Sequence, residues 1–226
     1  MKSVKKVQKN YPIYNKWNLI AIFLLLASCQ PSGEKAKEKL PILGLRDVVT
    51  AIVDGKEVTD TIYHQIPDFE FLNQDSVLIT NAFFDQSVYV ANFFFTHCPS
   101  ICPTMQRNLL EVYNEYLNDS RVKFLSHSID FKYDTPSVLK DYADRLGVVN
   151  EQWQFVTGSK AGIYGMAEHY MSYANEEEAA PGGYEHSGYF VLVDHNRHIR
   201  GAYDGTSKEQ IELLRKELKI LLQEYE

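Results

Sequence analysis

Cysteine is scarce in this sequence, with three residues in 226. A framework of structural disulfides is therefore not expected, and a chain this long has no need of one to make up for a small core. Long apolar runs are also missing where an anchor would need one. The apolar stretch at residues 19–27 spans nine residues and gives way to polar ones, whereas crossing a bilayer takes roughly 20. A retained transmembrane helix is thus not expected. Positive charge is in short supply as well. The whole chain carries 23 basic and 30 acidic groups, a formal charge of −7, and five of the lysines lie in the first 28 residues. Without that segment the charge is −12, a poor match for a phosphate backbone, so nucleic acid is excluded as a partner. There is no internal repeat.

What is present begins at the N-terminus. Five lysines and no acid precede the apolar stretch, the layout of an export signal. Leu26-Ala27-Ser28-Cys29 resembles a bacterial lipoprotein box, which implies cleavage after residue 28 and a lipid on Cys29. An ordinary signal peptide with a chance cysteine near its end is the alternative. Residues 30–40, QPSGEKAKEKL, are polar and charged and read as a flexible tether. The expected organisation is a signal peptide over 1–28, a lipidated N-terminus and tether over 29–45, and a folded domain over 46–226. The protein would then sit in the bacterial cell envelope, held to a membrane by its lipid and facing the extracytoplasmic side.

Within the domain, residues 46–64 place two alternating β-branched runs around Asp54-Gly55 and predict a hairpin. Residues 66–80 predict a second, smaller one. VYVANFFF at 88–95 reads as a strand covered on both faces, and 104–117 carries apolar groups at helical spacing. Two further strand–helix units follow, the first with Asp134-Thr135-Pro136 as the helix start. YFVLV and IRGAY predict a closing hairpin, and the chain ends in an amphipathic helix capped by Thr206 or Ser207. NEEEAAPGGYEHSG reads as an exposed loop, with Glu176, Glu177 and Glu178 at a solvated tip. The alternation implies an α/β fold with a central sheet flanked by helices and an N-terminal β-hairpin extension.

With Cys29 assigned to lipid, Cys98 and Cys102 are the domain's whole thiol inventory. A bridge between them would close too short a loop to stabilise the fold much, so the pair reads as chemical. At i and i+4 in a helical first turn they would share one face, and the helix N-terminus favours thiolate. Two thiolates with an imidazole suit Cu(I) and can hold Cu(II), while a fourth ligand for structural zinc is not apparent.

Three stretches, VANFFFTHCPSICPTM, SIDFKYDTPSVLKDYA and YEHSGYFVLVDHNRHIRGAYDG, resemble in order the signatures of the Sco/SenC family of thioredoxin-fold copper proteins. The resemblance runs from about Ile66 to the C-terminus. It implies a thioredoxin-like fold with a central mixed sheet, and one copper ion on Cys98, Cys102 and His186. It also implies delivery of copper to the binuclear copper site of cytochrome c oxidase, with the copper-site subunit and a thiol reductant protein as partners. Family members often have Asp before this histidine. Here Glu185 keeps the carboxylate, and a supporting role beside the metal is expected of it. His97 and Met105 are weaker ligand candidates, Met105 being expected in the core. Asp130 and Asp134 are expected to form a turn and a helix cap. His64, His127, His169, His195 and His198 are expected in structural or exposed positions.

Two rivals use the same thiols. A thiol-disulfide oxidoreductase would have Cys98 as nucleophile and Cys102 as resolving cysteine, with no need of His186. A copper or redox sensor would change its protein contacts without passing copper on. The segment lacks the Pro-x-x-x-Thr-x-x-Cys arrangement of a peroxidase, and YEHS lacks the proline that general thioredoxins place opposite their cysteines.

Overall fold

The computed structural model describes residues 38–226. The predicted signal peptide, Cys29 and the first part of the tether lie outside them.

Eleven strands and four α-helices follow one another in the described residues. The exposed hairpin β1 (Arg46–Val53) and β2 (Lys56–Tyr63) comes first, paired antiparallel in full register. Its turn residues Asp54 and Gly55 both adopt positive φ, 50° and 72°, the conformation a two-residue hairpin turn requires. The main sheet has seven strands in the order β11-β10-β5-β6-β7-β3-β4. At its centre β5 (Val88–Phe94), β6 (Val122–Ser128) and β7 (Trp153–Thr157) run parallel. All seven residues of β5 are buried, which explains why its sequence is continuously apolar rather than alternating. Antiparallel hairpins extend the sheet on both sides. One is β3 (Glu70–Asn73) with β4 (Leu78–Thr80), on β7; the other is β10 (Tyr189–Val193) with β11 (Ile199–Asp204), on β5. The sheet is therefore mixed, and the fold is the expected thioredoxin-like one.

Helices α1 (Cys102–Glu115), α2 (Pro136–Leu146) and α3 (Lys160–His169) each follow a parallel strand, and α4 (Lys208–Glu224) ends the chain. Helix α1 packs against α2 and α4. Ser159 and Ser207 cap α3 and α4 by accepting from the backbone N–H groups of Gly162 and Gln210, while Gly147, at φ 93°, closes α2 in the left-handed conformation. The start of α1 differs from expectation. Cys102 is its first residue and Cys98 lies in the turn before it, because Pro99 disfavours helical geometry at the residue it follows.

The stretch NEEEAAPGGYEHSG is not a plain loop. Strand β8 (Ala174–Glu176) pairs antiparallel with β9 (Tyr184–His186) around a 3₁₀ turn at Pro181–Gly183. Glu176 pairs with Lys132 and Lys160, so of the three acids it is the one tied down. Part of the stretch read as tether is also docked. Leu40 is buried, Leu43 bridges to Ile199, and Arg200 donates to the carbonyls of Leu40 and Pro41.

Candidate metal centre

The topology brings distant residues to one spot. Strand β5 ends at Phe94 and releases the loop that holds Cys98. Strand β10 runs antiparallel beside β5, with Val193 opposite Tyr89 and Val191 opposite Ala91, so the residues just before β10 lie where β5 ends. Those residues include His186. Strand β6 runs parallel to β5 and pairs Ser128 with Phe94, which sets Asp130 and Asp134 at the same end. The Sγ atoms of Cys98 and Cys102 and a ring nitrogen of His186 all lie within 4.8 Å of one another. All three residues are buried, and both cysteines are free thiols.

The imidazole is oriented for ligation. Its Nδ1 lies 2.9 Å from the carbonyl of Ser187, which can only accept, so Nδ1 carries the proton and Nε2 is bare. That Nε2 lies 3.3 Å from Cys102 Sγ. The two thiols are unequal. Cys98 is held far below the usual thiol range, chiefly by the hydrogen bond from the Cys102 thiol, with Ser100 adding to it against the opposing effect of burial. Cys102 is pushed up by the same shared proton and by burial. The opposite shifts favour the thiolate at Cys98 and the proton at Cys102, and a metal held by both sulfurs would displace that proton. Two sulfurs and a bare imidazole nitrogen are a soft donor set that fits copper.

The loop before the cysteines is tied down by Asp134. Its carboxylate accepts from the backbone N–H of Thr96 at 3.0 Å, from Thr96 Oγ1 at 2.5 Å and from Ser128 Oγ at 2.5 Å. The expected helix cap is thus corrected. Thr135 stands at the N-cap without a side-chain capping bond to the backbone, and Asp134 turns inward because a buried carboxylate needs these donors. Asp130 does form the expected turn, accepting from the N–H groups of Lys132 and Tyr133, and it also accepts from Tyr184 Oη at 2.9 Å. Through Tyr184 it holds the β9 strand that carries His186. Neither role was legible in the sequence, since the partners are 38 and 54 residues away.

Gly182 has the same positioning role on the other side. Its φ is 81°, and a Cβ there would stand 2.7 Å from Phe95 and 3.3 Å from Pro99. Only glycine lets the β8–β9 turn rest on the cysteine loop. His97 lies 3.6 Å from Asp130 and takes no part in the sulfur cluster, while Met105 is fully buried. Glu185 is exposed beside His186 and lines a cleft of about 360 Å³ with it. His64, His127, His169, His195 and His198 all lie outside the Cys–Cys–His cluster.

Comparison with known proteins agrees with this geometry. A sequence profile of the SCO1/SenC family matches residues 59–222. The chain belongs to the SCO1/SenC family. A SCO1 protein homolog of Bacillus subtilis is 29% identical over 105 residues, which is 46% of this chain and 54% of the relative, so the match spans about half of that protein. A SCO2-like protein of Rickettsia felis is 29% identical over 156 residues, covering 66% of this chain and 74% of the relative. Among solved structures, a SCO1/SenC family lipoprotein from Bacillus anthracis superposes with a TM-score of 0.63 at 28% identity, over 70% of this chain and 95% of that one. Copper-bound ScoI of Bradyrhizobium japonicum superposes with a TM-score of 0.58 at 23% identity, over 69% and 98%, a likeness of fold. Among the described residues no helix is long and apolar enough to cross a membrane.

Proposed function

We propose that this SCO1/SenC protein is a copper metallochaperone: it takes up one copper ion on Cys98, Cys102 and His186 and hands it to the copper-site subunit of cytochrome c oxidase. The observation that carries the reading is the preformed cluster of two free thiols and an imidazole whose Nε2 is bare. Further support comes from relatives of the same fold. One is described with copper bound, and another as containing a disulfide switch and belonging to a family of cytochrome c oxidase assembly proteins. Handover proceeds by ligand exchange: an incoming thiolate replaces one of these donors, with no covalent step between the proteins. The cysteines must be reduced to load, so a thiol reductant protein is the second partner and the Cys98–Cys102 disulfide is the off state. Cys29 carries the lipid that holds the chain to a membrane on the extracytoplasmic side.

The inequality of the thiols favours a second reading from a different class. Cys98 as thiolate and Cys102 as proton-bearing resolving thiol is the arrangement of a thiol-disulfide oxidoreductase that would keep the oxidase cysteines reduced. Anaerobic copper titration of the reduced protein beside His186→Ala separates the two. The chaperone reading expects one copper per chain, thiolate-to-copper(II) absorption after cupric loading, and much weaker binding in the variant. Absence of tight copper in the unmodified protein, with disulfide cycling that survives in the variant, would establish the oxidoreductase instead.

A further inference from the structure

Cys98 stands between two clefts of opposite character. The one on the His186 side carries Glu177 and Glu185. The other, about 370 Å³, is bounded by Phe95, both cysteines and Tyr142, and its charged lining residues are Arg107 and Arg145, with no acid. Both arginines are exposed, and among the described residues neither has an acidic partner; Arg107 makes one long contact of 3.5 Å to Thr104 Oγ1. Asp144, the neighbour of Arg145, turns instead to Lys140. A cationic cleft at the thiols is unexpected in a chain whose formal charge is −7.

A second observation is independent of the charges. Gln106, in the second turn of α1, lines the same cleft, is only 1% exposed, and has no hydrogen-bond partner for either its Nε2 or its Oε1. Leaving both ends of a buried amide unpaired is costly, and native proteins rarely do it. A primary amide offers a donor and an acceptor side by side, the complement of one peptide group. With no protein partner for either amide atom, a ligand seated in the cleft can supply one.

We infer that the Arg107–Arg145 cleft is the docking site for an extended, acidic segment of the partner protein whose thiols exchange with Cys98. The peptide group next to the partner's cysteine pairs with Gln106, and carboxylates flanking that cysteine meet Arg107 and Arg145. Phe95 and Tyr142 supply apolar walls, and the volume accommodates a few residues. The cleft opens on Cys98 and Cys102 themselves, so a segment seated there brings its own sulfur to the metal ligands while the acid-lined cleft on the far side stays open. This assignment rests on thiol exchange at Cys98, which both the chaperone and the reductase readings require.

The test uses the full reduced chain and two fluorescein-labelled, acetylated five-residue peptides. Each has a central serine in place of the partner's cysteine; glutamates flank it in one and glutamines in the other. The acidic peptide is expected to bind about ten-fold more tightly at low salt, with the preference shrinking as salt rises. Arg107→Ala with Arg145→Ala should erase the preference without changing copper loading, because neither residue touches the metal. Gln106→Leu should weaken both peptides alike while leaving the urea midpoint unchanged or raised, as expected when an unpaired buried amide is removed. Equal affinity for the two peptides, a preference that survives loss of both arginines, or succinate binding as tightly as the acidic peptide would overturn the assignment. Copper titration of the same samples keeps the failures apart. Normal copper loading without acidic preference overturns the docking site alone, whereas acidic preference without tight copper upholds the cleft and overturns the chaperone reading.

Discussion

The Nε2 atom of His186 lies 3.3 Å from the Sγ of Cys102, although 84 residues separate the two in the chain. Beside it, the hydrogen bond between the two thiols favours the proton on Cys102 and the negative charge on Cys98, and the asymmetry has a direct chemical readout. Brief iodoacetamide treatment of the reduced protein at pH 6 should modify Cys98 at least about ten-fold faster than Cys102, because thiolate is the attacking form. Peptide mass mapping scores the two sites, and loading with copper should protect both. Equal labelling, or Cys102 reacting first, would contradict the assignment of the thiolate.

Asp134 should matter to the metal without touching it. Asp134→Ala strands the N–H and Oγ1 of Thr96 and the Oγ of Ser128, at a cost of about 2–4 kcal/mol in urea unfolding. Freed from this anchor, the cysteine loop should bind copper about ten-fold more weakly, the size of effect typical of groups that orient ligands. Asp134→Asn keeps one acceptor oxygen and should fall between. If copper affinity is unchanged in an alanine variant that still folds, Asp134 serves stability alone.

Gly182 and Gly183 form a matched pair for separating backbone strain from contact. Both have φ of 81°, but only at Gly182 would a Cβ meet a neighbour, Phe95; a Cβ on Gly183 would meet nothing within 4 Å. Gly183→Ala should cost about 1–2 kcal/mol from the left-handed conformation alone. Gly182→Ala should cost more and also lower copper affinity, because the β8–β9 turn must lift from the cysteine loop and carries His186 with it. Equal losses of stability and equal copper binding in the two variants would show that the contact with Phe95 is not needed.

His127 makes the fold acid-sensitive. It is fully buried, stacked on Phe93 at 4.7 Å and packed against Phe69, Phe71 and Tyr170. Burial drives its pKa down from 6.5 to about 3. The unfolded chain therefore takes up a proton near pH 6.5 that the folded chain refuses until about pH 3. Stability contributed by the neutral ring is complete above pH 6.5 and is lost as pH falls through that window, at up to about 1.4 kcal/mol per pH unit. Urea midpoints between pH 7 and 4 should fall less steeply for His127→Phe than for the unmodified protein. Parallel slopes would mean that other groups set the acid sensitivity.

Local chemistry was the legible part of this chain. Asp54-Gly55 announced its hairpin, the continuous apolar run announced a central strand, and Cys98 with Cys102 announced a reactive site at its end. Pro99 could also have shown that Cys98 precedes the helix, since a residue before proline is seldom helical. What stayed hidden depends on register between distant strands. Nothing local says that the hairpin of Phe71 and Ile79 adds itself to β7, or that Asp134 turns away from its own helix toward Thr96. Resemblance to the family, rather than any physical pattern, singled out His186 from seven histidines. Gln106 sits amid an ordinary helical spacing and becomes informative only once its amide is seen to lack partners.

The antiparallel course of β10 beside β5 also fixes where the chain enters the sheet relative to the thiols. Leu43 bridges to Ile199, Ile199 lies opposite Val193, and Val193 lies opposite Tyr89, near the beginning of β5. The cysteines leave from the other end of that strand, about 17 Å away at roughly 3.3 Å per residue. Root and cargo thus occupy opposite poles of the sheet. Under the proposed lipid anchor, a domain tied down through the segment before Leu40 would carry its sulfurs at the pole away from that tie.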